Sequence, residues 1–487
     1  MEEERLDFNF EISLQRLCVV KIATNLWEKE EIRQKVLLFF QKNYNRYEEN
    51  DNSIGWNKVT KKVLSFLKNV SLPAKLSHSI KHVTKSIGLQ IFNWTKYVTK
   101  ILKFDIICTS EIFWTHFGTI DKRKIFEHWV QTRKLKSSQL FNMACIFCME
   151  DYIPNLWIEI PDYVKTNEFY SETIYTMSKY NLIAYWKNVL LDDMRRNFIS
   201  TMAVTERVRI ERLRAEGRFE NDEFNERRIA WLYIFADSHS TEENMFRVSV
   251  LEGLELGVKY FWNKLSDEQR QRNVEFALHT AKGKSEEPEY AEILIFLLTK
   301  LSVEQNISLS YEEFFILEML LKNWPWEEFF TPVFDRILEF YENSTNRDVD
   351  NYETKFFYLI QAIVGLMKND FALYECVEGT RYQNILHETW EKIPESSKIL
   401  VAGKRDWSIF SKLLNIEDLK SLKMIINHEV FRKTITKRNS FISCMKSLFL
   451  TLESKNKIEL IEKFVSEIGI DEDEIFKLRA NFALSCL

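Results

Sequence analysis

Glycine and proline are scarce in this chain, at 11 and 7 residues of 487. At ordinary usage, about 12 % for the two together, a chain this long carries nearly sixty. These residues supply the positive or fixed φ that hairpins, bulges and tight β-turns need. Their scarcity excludes a β-sandwich or barrel that turns every eight to twelve residues. Asn-Gly and Asp-Gly hairpin dipeptides are missing, and no run alternates with period two between turn residues. Long apolar runs are missing too, since ILIFLL at 293–298 is far short of a membrane span. The seven cysteines are odd in number and scattered, so they form no disulfide framework. The amino terminus, MEEERLDFNF, has neither a basic region nor an apolar core of the secretory kind. A cytoplasmic protein is the expectation.

What is present is helical. Hydrophobic residues make up 45 %, with 37 Phe and 13 Trp, against 29 % charged. In Lys61–Val70 the apolar residues Val63, Leu64, Phe66, Leu67 and Val70 fall on one helical stripe. Phe314–Leu321 and Phe356–Met367 are too densely apolar for one stripe and predict helices covered on more than one side. Pro73, Pro161, Pro325 and Pro394 stand where helices begin or end.

One junction recurs. NLWIEIPDY (155–163), YFWNKLSDE (260–268), FLLTKLSVE (296–304) and HETWEKIPES (387–396) each place Trp or Leu three residues before Ile or Leu, then Ser or Pro and an acid. That pattern ends one helix against the core and starts the next, with acids at its positive end. Two of the junctions extend backwards without gaps: 141–162 aligns with 246–267, matching Phe141 with Phe246 and Trp157 with Trp262. Trp157 and Trp262 are 105 apart, and Trp262 and Leu298 are 36 apart, which fits a unit of about 35 residues. Leu298 to Trp390 is 92, so the array is irregular there.

VLEGLELGVKYFWNKLS resembles the helix-turn-helix of an ankyrin repeat, with Gly253 closing the first helix and Val258, Phe261 and Trp262 facing inward. Segment 141–161 is similar, with Cys148 where the Gly would be, and LESKNKIELIEKFVSEIGIDEDE near the C-terminus is similar again. The T-P-L-H motif and the Gly-rich β-hairpin of ankyrin repeats are missing. The resemblance implies an all-α solenoid of stacked antiparallel helix pairs, and HEAT- or TPR-like stacking fits nearly as well. The expected organisation is a helical region over 1–104, basic at 56–103, followed by a repeat array over 105–487.

Charge is segregated along the chain. Between Asp51 and Asp105 there is no acid but ten lysines: Lys58, Lys61, Lys62, Lys68, Lys75, Lys81, Lys85, Lys96, Lys100 and Lys103. With a net charge of −5 overall, the remainder carries about −15. The window is a candidate contact for an anionic membrane surface or an acidic protein. Its plain alternative is a set of solvated lysines paired with the acidic remainder. The lack of arginine argues against sequence-specific nucleic acid, which favours the guanidinium fork.

Other constellations point away from chemistry. The nine arginines and seven acids of Arg195–Arg228 read as an exposed helix laced with ion pairs. Cys145-Ile-Phe-Cys148 has no second pair to complete a zinc site, and both cysteines read as small core residues. His78 and His82 lack any nearby carboxylate in sequence, and His387-Glu388 lacks the second histidine of a zincin. No phosphate loop, dinucleotide fingerprint or nucleophile elbow is present. The expectation is a non-enzymatic protein–protein scaffold without cofactor or metal, the alternative being a peripheral membrane effector docking through 56–103.

Overall fold

The structure is a computed structural model that describes residues 13–43, 52–68, 70–101, 111–162, 165, 179–190, 211, 215, 239–284, 287–300, 313–343, 349–374, 380–403 and 408–427. Among these residues there are nineteen α-helices and no strand. The sole β feature described is an isolated bridge between Trp114 and Ile120. The Arg195–Arg228 stretch lies outside the described residues apart from two positions, and the C-terminal ankyrin-like segment lies wholly outside them.

The chain divides into two compact units, one formed by 1–66 with 84–308 and the other by 67–83 with 309–487. The first holds α1 (Leu14–Trp27), α2 (Glu30–Asn43), α3 (Asn52–Ser65), α5 (Lys122–Thr132), α6 (Ser137–Ile146), α7 (Ile153–Glu159), α8 (Lys179–Leu190), α9 (Thr241–Leu251), α10 (Glu255–Lys264), α11 (Asp267–Gly283) and α12 (Pro288–Leu298). Helix α4 (Ala74–Ile101) contributes residues to both units. The second unit holds α13 (Glu313–Lys322), a 3-10 turn (Trp326–Phe329), α14 (Phe330–Asn343), α15 (Val349–Tyr374), α16 (Arg381–Lys392), α17 (Glu395–Gly403), α18 (Ser408–Asn415) and α19 (Leu419–Asn427).

Local chemistry explains the helix starts. Ser240 and Ser266 each accept a hydrogen bond from the third residue of the helix they precede, Glu243 and Gln269. Those two side chains reach back to accept from the Ser240 and Ser266 amides at 3.0 and 2.9 Å. Two donors that would otherwise be orphaned are satisfied at each end. Pro73 and Pro394 stand one residue before α4 and α17, where a missing N–H costs nothing.

Three of the four recurrent junctions are helix-to-helix turns. Ile160, Leu265 and Ile393 each leave the helix in extended backbone, at ψ 127, 145 and 150°, and all three are buried. The fourth runs into undescribed residues.

The first unit contains the same hairpin twice. Helices α6 and α7 pack on each other, as do α9 and α10. Both first helices end in a left-handed residue, Cys148 at φ 52° and Gly253 at φ 65°. Around Cys148, the amides of Phe147, Cys148 and Met149 donate to the carbonyls of Met143, Cys145 and Ala144. Around Gly253, Glu252, Gly253 and Leu254 donate to Val248, Val250 and Ser249 at the same offset. This is a Schellman ending, with the following residue (Met149 or Leu254) buried. Beyond the second hairpin, α9 packs on α11, α10 on α12 and α11 on α12.

In the second unit α15 lies against α13, α16, α17 and α18. Phe356, Phe357, Leu359, Ile360, Ile363, Val364 and Met367 are therefore all buried, which accounts for an apolar run too dense for one stripe.

Candidate functional site

The lysine-rich segment is built on an aromatic floor. Trp27 stacks on Trp56 at 5.4 Å between ring centroids, and Phe39, Phe40 and Phe92 close around Trp56. The Trp27 indole N–H donates to the Thr84 carbonyl at 2.7 Å, which fixes α1 on α4. Gly88 lets the two helices approach this closely: a Cβ there would lie 2.1 Å from Trp27 Cζ2. Helix α3 turns Trp56, Val59, Thr60 and Val63 onto this floor and leaves Lys58, Lys61 and Lys62 in solvent.

Lys62 pairs with Glu31 at 3.0 Å, and its ammonium also lies over the Phe66 ring, as does that of Lys29. Lys58 and Lys61 are exposed and make no ion pair among the described residues. Lys68 is likewise exposed, in the turn that follows. Lys81, Lys85 and Lys96 are half-buried along α4. Lys75 and Lys100 lie within α4, and Lys103 lies outside the described residues. The apolar sides of α3 and α4 (Trp56, Val63, Ile87, Ile91, Trp94, Val98) are consumed by the core. Among the described residues of α3 and α4, Leu89 is the large apolar side chain left in solvent, so an anionic surface would be met mainly by charge.

The two hairpins also share their ends. Phe141 packs on Trp157 at 5.1 Å, and Phe246 on Trp262 at 5.8 Å. Lys165 lies over Trp157 and pairs with Asp162, while Arg270 lies over Trp262 and pairs with Asp267. A second lysine, Lys187, lies 5.5 Å from the Trp157 ring centre. Ile158 beside it is 76 % exposed, and Val189 on α8 is also exposed.

Cys145 and Cys148 are both buried. Burial pushes the Cys145 thiol well up and that of Cys148 to about 12, so neither is a nucleophile or a ready metal ligand. The Cys148 thiol points back to the Cys145 carbonyl at 3.7 Å.

Several polar groups escaped sequence reasoning because their partners are remote in the chain. His82 finds a carboxylate after all, Glu327 Oε1 at 3.3 Å, within the second unit. Glu243 is 1 % exposed and accepts hydrogen bonds from Arg272, Asn273, Gln269 and the Ser240 amide. Burial pushes its carboxyl up, and those donors outweigh it, holding the group below the ordinary range. Lys122 sits between Glu292, at 3.2 Å, and Glu255, at 3.9 Å.

His387, Ser421 and Asp418 come together in the second unit. His387 Nε2 is 2.9 Å from Ser421 Oγ, and Asp418 Oδ1 accepts from the Ser421 amide and from Gln383. The residue types are those of a hydrolytic triad, but the roles are not. Ser421 is fully buried and Asp418 caps α19, so the group ties α16 to α19.

Among the described residues no group of three or more His, Cys, Asp or Glu is placed to hold a metal, and no helix is long and apolar enough to cross a membrane. The class defined is that of an all-helical chain carrying a duplicated helical hairpin. No protein-family model matches the chain, and no curated protein matches its sequence.

Proposed function

We propose that this chain is a non-catalytic interaction scaffold, a divergent ankyrin-like array whose helical hairpins present their outer surfaces to another protein. The observation that carries the reading is the hairpin built twice with the same turn, aromatic pair and capping ion pair, followed by serial packing of α9 on α11 and α10 on α12. Repeated units that contact their neighbours leave an extended surface free, and extended surfaces suit macromolecular partners. Ile158 and Val189 are apolar side chains left in solvent near the first hairpin, where a partner's contact would be felt.

The test is affinity capture with the full chain beside a variant carrying Ile158→Asp and Val189→Asp. A stoichiometric partner that is lost from the variant supports the reading. Recovery of no stoichiometric partner by the wild-type chain would sink it.

A second reading is favoured by one observation, the exposed lysines of α3. Here the chain docks on an anionic membrane surface through Lys58, Lys61 and Lys62. Because the apolar stripes are buried, such binding is electrostatic and fades as salt shortens the Debye length below about 8 Å. Flotation with vesicles containing anionic lipid, at low and high salt, decides it. Indifference to lipid at low salt would remove this reading.

A further inference from the structure

The first unit buries two carboxyls and one ammonium in a single cluster. Lys122, at the start of α5, is 18 % exposed, and Glu255 on α10 and Glu292 on α12 are each 15 % exposed. A second ammonium, Lys259, bonds the far oxygen of Glu255 from the half-exposed side of α10. Glu252, in the turn before α10, and Glu289, on α12, add negative charge nearby. Helix α4 contributes Tyr97, whose hydroxyl has no hydrogen-bond partner among the described residues. Among the described residues, Lys122 is the cation shared by both buried carboxyls. Once Lys259 is assigned to Glu255, a single ammonium faces Glu292 together with the field of Glu255. Two like charges this close do not both ionise cheaply out of water.

We infer that the Lys122–Glu255–Glu292 cluster is a proton-operated latch: one proton shared by the two carboxyls lets α12 pack on α10, and its loss to solvent as pH rises loosens that packing. Only an O–H bond breaks, and the proton goes to water. Burial pushes Glu292 up, and the charge of Glu255 reinforces it. Burial pushes Glu255 up as well, but Lys122 and Lys259 overcome this and hold it low. Burial alone would pull Lys122 down, and the two carboxylates reverse that, so the ammonium stays charged throughout. The sign follows. Between the ordinary carboxylate range and the raised value of Glu292, the folded state holds a proton that the unfolded chain has released. Stability in that window falls with rising pH.

The experiment is hydrogen exchange of the full-length chain, read by mass spectrometry on peptides covering 255–264 and 288–298, at about pH 6 and about pH 9. After correction for the intrinsic rate, the opening equilibrium of these helices should rise with pH, by up to about tenfold per unit for one linked proton. Peptides from 349–374 in the other unit serve as the control and should not follow it. Glu292→Gln, a neutral isostere of the protonated acid, should keep protection and abolish the slope. Glu255→Gln leaves one carboxylate for Lys122 and should abolish the slope too. A Glu292→Gln chain that keeps the wild-type slope would overturn the latch. If neither variant folds, the wild-type slope decides alone, and a pH-independent opening overturns it.

Discussion

Cys148 and Gly253 occupy the same left-handed backbone position in two copies of one turn, 105 residues apart, with φ of 52 and 65°. The left-handed region costs a residue with a Cβ roughly 1–2 kcal/mol, and glycine almost nothing. Gly253→Ala should therefore destabilise the chain by about 1–2 kcal/mol. The new methyl would also meet Glu289 Cβ at 3.2 Å and Tyr290 Cε2 at 3.3 Å. Cys148→Gly relieves strain but deletes a buried thiol, so the two effects oppose and the change should stay within about 1 kcal/mol. Urea midpoints of the two variants beside the wild type check this asymmetry.

Gly88 is held by a different constraint. Its backbone is helical, and what excludes a side chain is the Trp27 ring, 2.1 Å from where the Cβ would be. Gly88→Ala should displace that ring from Trp56 and cost about 1–3 kcal/mol through overpacking, despite the higher helix propensity of alanine. Near-ultraviolet circular dichroism should register the lost Trp27–Trp56 stacking. A variant with unchanged stability and spectrum would mean the two helices are not in this contact.

Glu243→Ala should be among the more damaging single changes, at about 3 kcal/mol, since it leaves Asn273 and the Ser240 amide without their acceptor and Arg272 without its counter-charge. The pH dependence has a definite sign. The folded-state pKa of Glu243 lies below its ordinary value, so its contribution is complete above the ordinary carboxylate range and lost as pH falls through the lowered one. Acid unfolding of the wild type should therefore be steeper than that of Glu243→Gln, which has no proton to take up. Equal slopes would contradict the network.

The α3 lysines should be nearly silent in stability. Lys58→Glu, Lys61→Glu and Lys62→Glu together should shift the unfolding free energy by no more than about 1 kcal/mol, most of it the Lys62–Glu31 pair. Any effect on binding to an acidic partner or an anionic vesicle would then be a direct one, and thermal unfolding of the triple variant verifies that separation.

Helical period and junction chemistry lay open in the sequence because they are local. The alignment of 141–162 with 246–267 anticipates both the shared Phe–Trp pair and the residue that replaces glycine, since one turn geometry demands the same apolar spacing wherever it recurs. The density of Phe356–Met367 likewise announces a helix packed on several others. The polar interior was not legible. Lys122, Glu255 and Glu292 meet only because helices distant in the chain pack together, and no periodicity relates them. His82 has no carboxylate near it in sequence because its partner, Glu327, is 245 residues away. For the basic window, one specific pairing with the acidic remainder emerges on α3, Lys62 with Glu31, while Lys58 and Lys61 stay in solvent.

The duplicated hairpin is the claim on which the scaffold reading stands, and an experimental structure at side-chain resolution tests it most directly. Residues 141–165 should superpose on 246–270, with positive φ at both 148 and 253 and a cation over each of Trp157 and Trp262. A negative φ at 148, a strand in either segment, or Trp157 and Trp262 in unlike surroundings would contradict it.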